Sequence, residues 1–157
     1  MGKKMISKNV SYNEGVNSKT ALRLGIDNTP NEEQTNNMHL VAENVFQPLR
    51  EHFNVPIYIS SFFRSSALNK AIGGSKTSQH CKGEAMDLDA DIFEGITNAQ
   101  IFNYIKDNLK FDQLIWEFGT DKNPSWVHVS FSNYKNRGKV LKAIKSNGKT
   151  IYQNYLA

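Results

Sequence analysis

Apolar residues recur along the chain in two rhythms. Between residues 38 and 53 they fall at steps of three and four, Met38, Val41, Val45, Leu49 and Phe53, which predicts one long amphipathic helix that Pro48 should kink or shorten. Upstream, "SYNE" (Ser11 to Glu14) has capping-box spacing for a short first helix, and "TPNE" predicts a second start with Thr29 as cap, Pro30 in the first turn and Glu32 reaching back. From Val55 onward the rhythm shortens to two. "VPIYISSFF" reads as a strand, "SSALNKAIGG" as a short helix ended by Gly73-Gly74, and "EAMDLD" as a strand with Ala85, Asp87 and Asp89 alternating against Met86 and Leu88. Thr97 or Asn98 caps a helix through Leu109, then "DQLIWEF" and "SWVHVSF" pair around the loop "GTDKNP". Asn147-Gly148 turns a last hairpin, although Val140, Leu141 and Ile144 also fit a helix.

Helices first and hairpin-connected strands afterwards define an α+β fold, an antiparallel sheet with the N-terminal helices packed on one face. At 157 residues the expectation is a single domain, 1–157, that buries its core without disulfides. The apolar runs are far too short for membrane insertion. The start "MGKKMISKNV" lacks the apolar core of a signal peptide and carries Ile6 where a myristoylation signal needs Ser or Thr. The expected product is therefore made in the cytoplasm, a monomer that needs another route to act outside. A net charge of +4 suits anionic surroundings such as an acidic wall polymer, or serves solubility alone. A nucleic-acid partner has only that bulk charge behind it and is not expected.

The chemistry concentrates in "SKTSQHCKGEAMDLDAD", Ser75 to Asp91. His80 and Asp87 are seven residues apart, so a straight strand would face them to opposite sides and a helix would separate them by roughly 10 Å. A turn at His80, a bend at Gly83 and a strand entered at Asp87 would let both reach one ion. His128, alternating with Val127 and Val129, shares a sheet face with Trp126 and Ser130 and is the third candidate. Cys81, the only cysteine, is a further possible ligand, although a ligand's immediate neighbour usually points away. His39 and His52 read as surface histidines. Trp116 and Trp126 read as core or cleft-wall aromatics, and Lys139, Lys142, Lys145 and Lys149 as a solvated face, where a wall-polymer contact is open but not demanded.

"SQHCKGEAMD" resembles the Ser-x-His-x-x-Gly-x-Ala-x-Asp signature of the D-Ala-D-Ala carboxypeptidase family of zinc peptidases, matching it at Ser78, His80, Gly83, Ala85 and Asp87. "WVHVSF" resembles the family's second zinc-histidine segment and "SSFFRSSALN" its arginine-bearing strand end. "ALRLGIDNTPNEE" and "VFQPLREHF" resemble a branch common in phage genomes, and the likeness runs from about Ile6 to Tyr152. The resemblance implies Zn2+ at the sheet on His80, Asp87 and His128, and hydrolysis of peptidoglycan stem peptides by carboxypeptidase or L,D-type endopeptidase action. A phage-encoded lysin acting on the host wall is one setting it implies. It also implies that Arg64 binds a substrate carboxylate or the polarised carbonyl; a salt bridge to the following helix is the plainer alternative. Ser78 touches substrate on this reading, or stabilises the turn.

One position departs from the family. Where many members carry an acidic general base, three residues before the last zinc histidine, this chain has Ser125. Glu117, at the end of the strand expected to pair with that of His128, is favoured as the base, provided the register turns it toward the metal. Asp121, Asp89 and Asp91 are the other carboxylates in reach, and Asp89 is equally suited to orienting a zinc histidine. Two rivals stand beside the peptidase: a non-haem iron oxygenase, and an inactive zinc-bearing module that only grips wall peptide or protein.

Overall fold

The computed structural model describes residues 4–156; the Met1-Gly2 start lies outside the described residues. A small ribbon, β1 (Met5–Ser7) and β2 (Val10–Ser11), leads into α1 (Tyr12–Val16), where Ser11 and Glu14 form the reciprocal cap that "SYNE" predicts. After α2 (Lys19–Leu24), α3 (Glu32–Val41) is capped by Asn31 with Gln34 and not by Thr29. Thr29 is engaged elsewhere: its N–H and hydroxyl both donate to the Asp27 carboxylate.

The long helix is interrupted. A π-turn at Ala42–Phe46 separates α3 from α4 (Gln47–Phe53), and the Gln47 N–H donates back to the Ala42 carbonyl. The wider turn ends just before Pro48, which has no N–H to contribute to an α-helical ladder, so the apolar stripe continues past it without a break in packing. Met38, Val41, Val45, Phe46 and Leu49 are all buried along it. His52 is exposed and stacks on Tyr104, whereas His39 is half-buried and bonds the Ile6 carbonyl at 2.7 Å, tying α3 to the first strand.

Six strands form the main sheet in the order β3 (Tyr58–Ser61), β4 (Ala85–Asp89), β6 (Trp126–Ser130), β5 (Gln113–Glu117), β7 (Lys139–Ser146) and β8 (Lys149–Asn154). Neighbours are antiparallel except β5 and β7, which run parallel because the 131–138 connection returns the chain before β7 begins. The last segment is thus a hairpin and not a helix, with Asn147 and Gly148 both at positive φ as a two-residue turn requires. Two short helices complete the order: α5 (Ser66–Ala71) and α6 (Asn98–Asn108), the latter capped by Thr97.

Period-two alternation decides which face does what. Met86 and Leu88, Leu114 and Trp116, and Val127 and Val129 point to one side, where they pack with α3, α4 and with Ile101, Phe102 and Ile105 of α6. The opposite face keeps a smaller apolar group of Ile115, Leu141 and Ala143 and is otherwise polar. No helix among the described residues is long and apolar enough to cross a membrane.

Candidate metal centre

Asp87 sits between core residues Met86 and Leu88, so its side chain leaves on the other face of the sheet; His128 does the same between Val127 and Val129. The register sets the two directly opposite each other, which brings Cβ atoms to about 5 Å. The side chains close the remainder: His128 Nδ1 lies 3.1 Å from Asp87 Oδ1. His80 comes from outside the sheet, on a 3-10 turn at Gln79–Lys82, and its Nε2 lies 3.3 Å from the same oxygen. One candidate ligand atom from each of the three residues falls within 4.8 Å of the others.

That turn is held from several sides. The Ser78 hydroxyl accepts from the His80 N–H at 3.3 Å, and α3 supplies two amides, Gln34 to the Cys81 carbonyl and Asn37 to the Lys82 carbonyl. Gln79 donates to Asp112, whose carboxyl also receives the Arg137 guanidinium and is drawn down to about 2 chiefly by that hydrogen bonding. Gly83 closes the turn at φ +76°, and a Cβ there would lie 2.4 Å from the Gln34 carbonyl oxygen. Only glycine meets both conditions.

The donor set fits a divalent metal. Two imidazole nitrogens and a carboxylate oxygen are a set that zinc accepts, with room for a fourth ligand. His80 Nδ1 lies 2.7 Å from the Phe62 carbonyl, which can only accept; the ring proton is therefore at Nδ1 and the lone pair of Nε2 faces the site. His128 Nδ1 faces Asp87, whereas its Nε2 is buried without a hydrogen-bond partner. Burial alone would raise the Asp87 carboxyl, but the two imidazoles beside it, His80 foremost, outweigh that and hold the group well below the usual carboxylate range. The site keeps a full negative charge for a cation.

Glu117 stands on the same face. It is two residues beyond Ile115, the direct partner of His128, and is only 6 % exposed. Burial pushes its carboxyl up to about 7, with His128 pulling down and Asp87 pushing up. Immediately after it Phe118 adopts φ +57°, a strained conformation for a bulky side chain, and turns its ring into the cleft beside Trp126.

The other sequence candidates fall into place around this face. Arg64 lines the cleft, its backbone N–H donating to the His80 carbonyl; among the described residues it makes no ion pair, so the helix-anchoring alternative is not what the fold shows. Its Nε is buried without a partner. Ser78 both lines the cleft and caps the His80 turn. Trp116 is core and Trp126 is cleft wall. Asp121 pairs with Lys142 at the surface, away from the site. Asp89 and Asp91 do not orient a ligand histidine; they accept hydrogen bonds from the buried Asn98, and Asp91 also from Asn123, joining the ends of two loops. The group that orients His80 is the Phe62 carbonyl, a backbone atom that no sequence motif marks. Cys81 is half-buried in a separate shallow cleft with Asn37 and Glu84, outside the ligand cluster.

A His/Asp/His cluster that could hold a metal at the sheet stands beside a buried carboxylate in a cleft of about 720 Å³, the arrangement a metal-dependent hydrolase uses. A family model described as Peptidase M15 matches residues 8–130. The chain belongs to that family, whose members are zinc metallopeptidases cutting peptide bonds, on peptidoglycan-type substrates. No curated protein matches the chain in a sequence comparison.

Proposed function

We propose that the chain is a zinc peptidase of peptidoglycan stem peptides, with D-Ala-D-Ala carboxypeptidase or L,D-type endopeptidase action. His80, Asp87 and His128 would hold the ion. A zinc ion with three protein ligands and one open position polarises a carbonyl and lowers the pKa of water toward about 7. The observation that carries the proposal is the buried Glu117 on the same sheet face as the three ligands, its carboxyl held near neutrality.

Glu117 accepts a proton from the water that attacks the scissile carbonyl and delivers it to the leaving amine nitrogen, so the carboxylate is regenerated each turn. Arg64, free of any carboxylate partner among the described residues, grips a substrate carboxylate through a planar fork. The wall of Phe118 and Trp126 shields the reacting groups from bulk water. Ser125 is no obstacle to catalysis on this reading, because its N–H bonds the Glu117 carbonyl and so helps fix the strand end that carries the base. Release of the chain to the host wall by a partner protein is the setting we infer from the phage-branch resemblance.

The test is incubation of the metal-loaded chain with purified wall peptides, with and without a chelator, and identification of new peptide ends by mass. New ends should arise with metal, vanish with chelator and return on adding zinc. Identical products under chelation, or none at all, would overturn the proposal.

A further inference from the structure

The family match ends at residue 130, yet one wall of the cleft is built beyond it. In the β7–β8 hairpin, Leu141, Ala143 and Lys145 alternate onto the face that carries Glu117, because Ile115 pairs with Leu141 and Glu117 with Ala143. Thr150 and Tyr152 on β8 pair with Lys145 and Ala143 and extend that face by one more strand. All of these but Ala143 line the cleft directly. Lys145 is exposed, as the solvated-face reading of the C-terminal lysines expects, and it also lines the cleft. Its ammonium donates to Thr150 Oγ1 at 3.1 Å and lies 5.4 Å from the centre of the Phe118 ring. Among the described residues it has no carboxylate within ion-pair distance.

The charges of the cleft are sorted. Its carboxylates are Asp87 and Glu117, both on the floor; its walls carry Arg64 on one side and Lys145 on the other. Arg64 follows β3, outside the ligand strand β4, whereas Lys145 lies on β7. From β3 to β7 there are four strand spacings, about 19 Å, and the two long cationic side chains shorten that distance to the span of a few extended residues by reaching inward. A peptide laid across the strands would thus meet one cation on each side of the metal ligands.

We propose that the β7–β8 hairpin is a second substrate subsite, in which Lys145, with the hydroxyls of Thr150 and Tyr152, holds a carboxylate of the peptide on the opposite side of the scissile bond from Arg64. The substrate class is a peptide bearing two carboxylates, one terminal and one on a residue about three positions away. Lys145 supplies the charge, and the two hydroxyls supply directional donors to an oxygen that a lone ammonium would leave free to rotate. Phe118 packs under the ammonium and confines it. This rests on the peptidase reading above for the placement of the scissile bond.

The experiment uses the full chain carrying Glu117→Gln and loaded with zinc, so that peptide is bound and not consumed. Two stem-type peptides are titrated by calorimetry; both have a free terminal carboxylate, and the acidic residue three positions before it is free in one and amidated in the other. The free acid should bind roughly 5- to 10-fold more tightly. Adding Lys145→Met, which keeps the apolar stem on an exposed strand, should bring that ratio to about one while leaving the amide's affinity unchanged. A ratio near one before Lys145 is changed, or a preference that survives its change, would overturn the subsite. Cleavage of the same peptides by the unaltered chain is scored separately. Failure to cut them counts against the peptidase reading, whereas a binding ratio indifferent to Lys145 counts against the hairpin alone, and no binding of either peptide removes both.

Discussion

Replacing Glu117 by glutamine is expected to lower peptide hydrolysis by roughly 10²- to 10⁴-fold while the chain still binds zinc, as removal of a general base does. The same substitution should stabilise the metal-free protein, and only on one side of neutrality. Burial raises the Glu117 carboxyl from 4.5 to about 7, so the folded chain holds a proton that the unfolded chain has already released between those values. Stability is therefore fully present below the lower value and is lost as pH rises through the upper one. The difference amounts to about 3 kcal/mol at most. Glutamine has no charge to bury, so Glu117→Gln should match the parent near pH 4.5 and exceed it above pH 7 by about 2–3 kcal/mol. In melting experiments that is about 4–12 °C for a chain of this size. A merely exposed strand-end glutamate would show neither the loss of rate nor the gain. In the loaded enzyme the cation lowers the carboxyl again, so the rising limb of kcat/KM should centre below 7 and above 4.5.

Replacing Asp87 by asparagine should have the largest effect on metal binding. Its Oδ1 faces both ring nitrogens, at 3.3 Å for His80 and 3.1 Å for His128. Asparagine keeps the shape, loses the charge, and can place an amide N–H where the cation belongs. Zinc affinity should fall by more than the 10–100-fold that removal of an outer-shell partner typically costs, measured by competition with a chromogenic chelator. Asp89→Asn is the matched control on the same strand. Asp89 accepts from Asn98 and touches no ligand, so zinc affinity should be unchanged there even if the loop loosens.

What the residues disclosed in advance follows from how local the physics is. His80, Gly83 and Asp87 lie within one short segment, and the need for a turn and a bend between the two ligands is a statement about backbone geometry over seven residues. The helical stripe from Met38 to Phe53 and the alternation around His128 are equally local. Glu117 was reachable because a short loop joins its strand to that of His128, leaving only the register open. The misses are non-local. Thr29 reads as a cap until Asp27 takes its hydroxyl, and nothing in the 3.6-residue rhythm announces the π-turn that accommodates Pro48. Asp89 shares the alternation of Asp87 on β4, but Asn98, at the start of α6, claims it. The parallel β5–β7 pair and the hairpin wall depend on how the 131–138 connection returns the chain, and Phe62 acts through a backbone carbonyl that every residue type possesses.

The proposed chemistry turns on His80, Asp87 and His128 jointly holding one metal ion through two nitrogens and an oxygen. X-ray absorption at the zinc edge, on the chain loaded with one equivalent, should show a shell of nitrogen and oxygen scatterers alone, at about 2.0–2.2 Å, with outer-shell features of two imidazoles. A sulfur scatterer at about 2.3 Å, which would bring in Cys81, or a spectrum of fully hydrated zinc, would contradict it.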